Sequence, residues 1–161
     1  MEYQLLSRQK INHVRGFIVY QECENQGQSA MEYLLLKKKL ENDWSPPKGK
    51  RERKSDGKWE NEIETARRET NEETGLIEGV DFKLLHHNIC FQVSLEYTNP
   101  SNIRKIVTLW PAKLQSSCVK VIRLSQEHEE FRWFKTDEGI KIIKDEYRAA
   151  LKQAINRINN S

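Results

Sequence analysis

The segment RRETNEETGL, residues 67–76, places three carboxylates, Glu69, Glu72 and Glu73, three and four positions apart. In a helix, side chains at this spacing lie on one face, and like charges four residues apart destabilise it by roughly 0.2–0.5 kcal/mol per pair. The charge also gathers towards the C-terminal end of the helix, where the dipole is already negative. We therefore expect a cation that is not part of the chain to complete this face.

A hard divalent cation, Mg²⁺ or Mn²⁺, would satisfy these side chains, because such ions take carboxylate and carbonyl oxygens and bind beside substrate phosphates. Arg68 stands four residues from both Glu64 and Glu72, so its side chain can hold a carboxylate in place as structural support. The alternative is a solvated acidic helix face neutralised by Arg67 and Arg68.

Length and composition favour one soluble domain over residues 1–161. Apolar residues make up 37% of the chain and charged residues 32%, which allows a single core. A net charge of +3 gives no global field of the kind a general nucleic-acid binder carries. The three cysteines form neither a metal-ligand pattern nor a disulfide framework, which favours a reducing compartment. With no signal-like start and no run of ~20 apolar residues, we expect a cytoplasmic protein that does not bind membranes.

Apolar patterning predicts an α+β protein. Clusters of β-branched and aromatic residues between turn signals predict strands at 14–21, 31–39, 82–97, 104–114, 119–125 and 131–134. The first two are expected to form a hairpin with an irregular loop at 24–29. A thin apolar stripe predicts a helix over 60–74 that ends with left-handed Gly75. One or two further helices are expected over 136–158, capped by Thr136 or Asp137.

Two adjacent prolines exclude a helix interior from DWSPPKG, residues 43–49. The residues that follow, 50–59, are expected to form an exposed charged loop, and the stretch KGKRERK at 48–54 is strongly basic. The acidic helix therefore follows directly on a proline-rich turn and a basic loop.

From Glu60 to Leu76 the chain reads E-x7-R-E-T-N-E-E-T-G-L. This order resembles the second half of the Nudix box, Gx5Ex7REUxEExGU, in which U is aliphatic and the loop–helix–loop binds a divalent metal. Lys54 stands where the box has its first glycine. Gly49 is the better match, which implies an insertion at about 50–59 and a box at about 49–76. Thr70 replaces an aliphatic residue.

Two further stretches resemble the asymmetrical diadenosine tetraphosphate hydrolases, a Nudix subfamily. They are WSPPKG at 44–49 and RLSQEHEEFRWF at 123–134. The segment LEY at 95–97, followed by Lys105 and Trp110, also resembles that subfamily's strand pair for adenine and phosphate. The resemblance extends from about Val14 to the C-terminal helix. Lys50 stands where the subfamily usually has histidine.

The resemblance implies a Nudix fold, with a mixed β-sheet sandwiched between α-helices, and hydrolysis of diadenosine tetraphosphate to ATP and AMP by in-line attack of water. It implies metal ligation by the Gly49 carbonyl and by Glu69, Glu72, Glu73 and Glu127. These four glutamates would also be the catalytic residues, with Glu69 or Glu127 as the base. Substrate contacts would come from Lys48, Lys50 and Lys105 to phosphate and from Tyr97, Phe131 and Tyr147 to adenine.

Other interpretations stay open at this point. The basic residues 50–54 give some support to a Nudix pyrophosphohydrolase acting on RNA 5′ ends or on diphosphoinositol polyphosphates. A catalytically silent nucleotide sensor is a third possibility, against which the intact glutamates argue. The expected partner is a dinucleoside polyphosphate bound to a monomer, with nucleic acid binding restricted to the basic loop. If these residues have no role in the site, Glu127 is an ordinary polar loop residue, and Tyr97 and Phe131 belong to the hydrophobic core.

Overall fold

A parallel pair of long strands organises the sheet of this protein. The computed structural model describes residues 10–97, 102–118 and 120–160. Within these ranges eight strands form one mixed sheet: β1 (Lys10–Asn25), β2 (Gln28–Lys38), β3 (Trp44–Ser45), β4 (Lys48–Lys50), β5 (Phe82–Leu84), β6 (Phe91–Tyr97), β7 (Ile103–Leu114) and β8 (His128–Lys135). The main path runs β3-β2-β1-β7-β5, while β8 pairs with β2, β4 with β1 and β6 with β7. β1 and β7 are parallel, and the other paired strands are antiparallel.

Side chains of β1 alternate between two hydrophobic clusters, one on each face of the sheet, as the two-residue period of a strand requires. Val14 and Ile18 belong to the cluster covered by helix α3 (Asp145–Asn159), whereas Phe17 and Val19 belong to the cluster beneath helix α1 (Glu62–Thr74). The sheet therefore lies between helices, which confirms the predicted α+β class.

The ends of α1 follow from its local sequence. Asn61 caps the first turn and forms a reciprocal capping box with Glu64. Gly75 follows the last turn with φ 80°, a left-handed conformation that glycine adopts without strain. The predicted stripe is present, since Ala66 and Thr70 are fully buried.

Among the described residues, no helix is long and apolar enough to cross a membrane.

The C-terminal region forms two helices, α2 (Thr136–Ile142) and α3. The predicted cap at Thr136 or Asp137 is wrong, because Lys135 occupies the cap position of α2 and its side chain makes no capping hydrogen bond. The break between the helices is fixed by the sheet: the Lys144 N–H donates to the Trp44 carbonyl at 2.8 Å. This contact with a distant strand thus sets the boundary between α2 and α3, whereas the sequence was compatible with one helix or two.

The loop between β1 and β2 is a tight two-residue turn, so the irregular loop predicted over 24–29 is wrong. Asn25 pairs with Gln28, and the two residues between them, Gln26 and Gly27, have φ of 55° and 79°. Two left-handed residues match the natural twist of a hairpin. Glutamine is an unusual first residue for such a turn, so the pattern did not indicate it.

The strand predicted over 119–125 is wrong for its described part, which starts at residue 120 and contains no strand before β8. This segment passes the end of α1, where the Arg123 N–H donates to the Thr74 carbonyl at 2.9 Å. Its apolar side chains pack against the α1-side cluster rather than in a strand; these are Ile122 and Leu124. The run 82–97 is also not one strand, since it divides into β5 and β6, both paired with β7.

Candidate active site

The proline-rich turn and the acidic helix meet directly at Gly49. β4 pairs with β1, placing Gly49 opposite Arg15, and α1 packs beside both strands. A Cβ atom added at Gly49 would lie 2.0 Å from the Glu69 carboxyl carbon. The carboxylate therefore occupies the space that any side chain at this position would need. Only glycine allows the Glu69 side chain to rest on this stretch of backbone.

Arg68 connects this carboxylate to its neighbours. Its Nε and Nη2 donate to both oxygens of Glu60 at 2.8 and 3.0 Å, and its Nη1 donates to Glu69 at 2.9 Å and to Glu72 at 3.2 Å. Nη2 also donates to the Lys50 carbonyl at 2.8 Å. Such paired, charge-assisted hydrogen bonds fix geometry as well as charge. Arg68 thus joins α1 to Lys50 at the end of β4 and to Glu60.

The predicted pairing of Arg68 with Glu64 is wrong. Glu64 accepts from the Asn61 backbone N–H at 3.1 Å and lies 3.5 Å from the Lys54 ammonium. Its carboxylate is therefore bound at the start of α1. The Arg68 guanidinium donates instead to Glu60, which lies just before the helix.

Glu73 is a buried carboxylate, 5% exposed, on the same side of α1. Its Oε1 accepts from the Lys48 backbone N–H at 3.3 Å and lies 3.8 Å from His128 Nε2. Burial raises the pKa of Glu73 well above its usual range, although the positive charge of Lys48 opposes this. Burial likewise lowers the pKa of His128, whose Nδ1 is 3.1 Å from Ser125 Oγ. The imidazole is therefore a neutral neighbour of Glu73 at pH 7.

Two of the predicted ligands lie at the exposed rim of this group. Glu72 is exposed on α1 and is bound by Arg68. Glu127 is exposed in the turn before β8, where its charge contributes to the raised pKa of Glu73. The structure thus brings Gly49, Glu69 and Glu73 together and leaves the other two carboxylates nearer to solvent.

The donor set fits a hard cation in its chemistry. Within the described residues, no group of three or more His, Cys, Asp or Glu side chains is arranged to hold a metal ion. Glu69 and Glu72 both accept hydrogen bonds from Arg68. The donors are nevertheless all oxygens, as Mg²⁺ prefers. Burial raises the pKa of Glu69 as well as that of Glu73. A bound cation would stabilise the charged form of both carboxylates, which burial disfavours.

Lys48 and Lys105 converge on the ring of Tyr147. Their Nζ atoms lie 5.7 and 5.3 Å from the ring centroid, and Lys105 also donates to the tyrosine hydroxyl at 3.1 Å and to Glu146 at 2.8 Å. Burial lowers the pKa of Lys48 despite the charge of Glu73, and nearby lysines lower it further. This pair of ammonium groups can bind an anion such as a phosphate.

The residues predicted to contact adenine lie in different parts of the fold. Tyr147 is 1% exposed and packs in the α3-side cluster, so its ring offers no open face to a base. Phe131 packs against the cluster on the opposite face of the sheet. Tyr147 and Phe131 therefore lie on opposite faces of the sheet. Tyr97 ends β6, and its side chain lies outside the described part of the chain.

The basic segment predicted as a loop over residues 50–59 closes on itself beside β4. Arg53 pairs with Trp59 in an isolated bridge, and the guanidinium groups of Arg51 and Arg53 each lie 4.3 Å from the centroid of the indole ring system. Lys50 is exposed at its start, and its carbonyl accepts from Arg68. The loop is thus attached to the site through Arg68.

Glu146 also belongs to the group of charged side chains around Lys105 and was not predicted from the sequence. It belongs to the first turn of α3, where an acid is expected simply because it complements the helix dipole. Its pairing with Lys105 joins positions 41 residues apart. No local signal in the sequence distinguishes it from an ordinary N-terminal acid.

Comparison with known proteins identifies the family of this chain. A family model described as the NUDIX domain matches residues 12–154. The chain is 36% identical over 127 residues to the asymmetrical bis(5′-nucleosyl)-tetraphosphatase of Rattus norvegicus, covering 78% of this chain and 79% of that protein. It is 34% identical to the Sus scrofa enzyme of the same name over 71% of each chain.

The fold agrees as well. The crystal structure of a C. elegans Ap4A hydrolase binary complex superposes with a TM-score of 0.74 at 25% identity, covering 93% of this chain and 99% of that one. The E. coli dihydroneopterin triphosphate pyrophosphohydrolase, at 17% identity and a TM-score of 0.64, shares the fold. On the family match and these relatives, the chain belongs to the Nudix family.

Proposed function

We propose that this protein hydrolyses diadenosine tetraphosphate and related dinucleoside polyphosphates to ATP and AMP, or to the matching nucleoside tri- and monophosphates, with a divalent cation as cofactor. The proposal rests on the similarity to asymmetrical tetraphosphatases over about four fifths of the chain. The observation that carries it is the contact of the Glu69 carboxylate with the Gly49 backbone, beside a pair of lysines that can hold phosphate.

The residues that would hold Mg²⁺ or Mn²⁺ are the carboxylates of Glu69, Glu72, Glu73 and Glu127 and the carbonyl of Gly49. When bound, such an ion neutralises phosphate oxygens and lowers the pKa of a coordinated water. Arg68 keeps two of these carboxylates in place through its hydrogen bonds. Its removal would leave them free to repel each other.

The remaining roles belong to side chains of the chain itself. Glu69 or Glu127 would accept the proton of the attacking water. The raised pKa of Glu69 brings it closer to the operating pH, which favours a general base. Lys48, Lys105 and the more exposed Lys50 would hold the charge of the phosphate chain, since phosphoryl transfer is largely positioning and charge stabilisation.

A product assay tests the proposal. Diadenosine tetraphosphate is incubated with the protein and Mg²⁺, and the nucleotides are separated by anion-exchange chromatography. Equal amounts of ATP and AMP are expected. Two molecules of ADP, or no turnover with either Mg²⁺ or Mn²⁺, would refute it, and the latter result would favour the silent nucleotide sensor.

One alternative has a specific observation in its favour. The exposed basic residues of the insertion could contact the phosphodiester chain of an RNA whose 5′ end enters the site. This function predicts release of monophosphorylated RNA from a triphosphorylated or capped oligonucleotide. Comparing kcat/KM for that substrate and for the dinucleotide in one preparation decides between them.

A further inference from the structure

Glu146 lies between two lysines at the phosphate-binding side of the site. Its Oε1 is 2.8 Å from the Lys105 ammonium and 3.3 Å from that of Lys144. The side chains of Glu146 and Lys105 are only 11% and 18% exposed. An ion pair so shielded from water is weakened less by solvent than a surface pair. When no substrate is bound, the ammonium group of Lys105 is therefore paired with the Glu146 carboxylate.

Lys105 does not depend on Glu146 for its position. Its ammonium also donates to the Tyr147 hydroxyl at 3.1 Å and lies 5.3 Å from the centroid of that ring. Tyr147 is fully buried and fixed in the α3-side cluster. If Glu146 turned away, Lys105 would still have a rigid partner and would gain a free donor.

Glu146 also has a second cation to move to. Lys144 lies within reach of the same carboxylate oxygen, and it is itself 3.8 Å from Asp43. The carboxylate is negatively charged at neutral pH: burial alone would raise its pKa, but the hydrogen bonds from Lys105 and Tyr147 and the charges of Lys105 and Lys144 lower it to about 2. Glu146 and a phosphate oxygen are thus equivalent acceptors for one ammonium.

We propose that Glu146 competes with the substrate for Lys105 and so sets the affinity of the site for phosphate chains. An arriving phosphate takes the Lys105 hydrogen bond, and the displaced carboxylate stays with Lys144. Because every ligand that uses Lys105 must displace the same anion, ground-state binding is weaker and the polyphosphate product leaves sooner. Glu146 is a positioning residue, acting through Lys105, and the role assigned to Lys105 rests on the proposed function.

The test is direct binding of inorganic tripolyphosphate, measured by titration calorimetry with Mg²⁺ present. We expect Glu146→Gln to lower the Kd on the order of tenfold, the size of one charge-assisted contact. Asp145→Asn is the matched control. It removes the same charge from the same helical turn, but its carboxylate is exposed and pairs with Arg148, so its Kd should change less than twofold.

A double-mutant cycle assigns the effect to Lys105. In a Lys105→Met background, Glu146→Gln should leave the Kd unchanged, because the contested ammonium is gone. In the single variant, KM for the dinucleotide should fall with kcat unchanged or lower, and Glu146→Asp should restore the original KM. Thermal unfolding of each variant identifies a loss of fold.

Weaker binding by a folded Glu146→Gln variant, or an effect matched by Asp145→Asn, would overturn the proposal. So would an equal gain in the Lys105→Met background. Since tripolyphosphate binding needs no turnover, the result stands apart from the hydrolysis assay. A protein that fails to cleave the dinucleotide can still pass or fail this test.

Discussion

Gly49 and Glu69 occupy one small volume, and each constrains the other. The Glu69 carboxyl carbon stands 2.0 Å from where a Cβ would be built on Gly49. We expect Gly49→Ala to push the carboxylate away and to lower kcat at least a hundredfold, while the far-UV circular dichroism spectrum stays that of the folded protein. Gly139→Ala is the control, because its nearest contact for a new Cβ is an ordinary 3.4 Å. Full activity in Gly49→Ala would contradict the role given to this contact.

Glu73 tests whether charge, rather than shape, is what the acidic helix supplies. Glu73→Gln keeps the volume and can still accept from the Lys48 N–H, but it removes the buried ionisable carboxyl group. We expect turnover to fall by orders of magnitude with the free energy of unfolding unchanged or higher, since burial disfavours the charged form of this carboxyl. Steady-state kinetics and urea unfolding measure both. Glu62→Gln on the exposed first turn of α1 should behave like wild type, and near-normal turnover in Glu73→Gln would count against the assignment.

At the scale of elements, the basic loop 50–59 is held by contacts of two arginines with a tryptophan ring. Trp59 is 44% exposed and ends the basic loop 50–59, with the guanidinium groups of Arg51 and Arg53 each 4.3 Å from the centroid of its ring. We expect Trp59→Leu to lower the free energy of unfolding by only about 0.5–1 kcal/mol, since exposed cation–π contacts are weak. Opening of the loop should appear as faster tryptic cleavage after the lysines and arginines of residues 51–58.

Hydrolysis of diadenosine tetraphosphate should change less than threefold in Trp59→Leu, because Arg68 still holds the Lys50 carbonyl at the end of β4 and the carboxylate of Glu60. A large loss confined to RNA substrates would instead support the alternative function. Unchanged proteolysis would show that the stack is not what closes the loop.

At the scale of the whole molecule, the Lys105–Glu146 pair joins β7 to α3 and makes stability depend on pH. Glu146 has a pKa of about 2 in the folded protein against 4.5 for an ordinary glutamate. A lowered pKa contributes stability that is fully present above pH 4.5 and is lost as the pH falls towards 2. Urea unfolding between pH 5 and 2.5 should therefore show a shallower loss of stability in Glu146→Gln than in wild type. Parallel pH profiles would exclude this contribution.

The parallel pairing of β1 with β7 explains why distant residues meet. It sets Asn12 beside Lys105 and Gly16 beside Leu109, while β4 pairs with the same part of β1 on its other edge. Lys48 and Lys105 thereby reach one face of the sheet, over α3. Strand register thus brings two ammonium groups, 57 positions apart in the chain, to the ring of Tyr147.

Much of the fold was predictable because its signals are local. The helix α1, its left-handed end at Gly75 and the exclusion of helix from the proline-rich turn follow from capping, backbone conformation and apolar period within a few residues. The ordered spacing from Glu60 to Leu76 likewise sufficed to predict the acidic helix and the family.

Other features depended on contacts between segments far apart in the chain. The Gly49–Glu69 contact, the clamp of Arg68 on Glu60 and the burial of Tyr147 arise where separate elements pack together. Burial and ion pairing at such places depend on strand register and helix packing, which no short stretch of sequence encodes. Hence the sequence motif alone was enough to predict the family. Which charged side chains pair with each other was decided only by the packing of the folded chain.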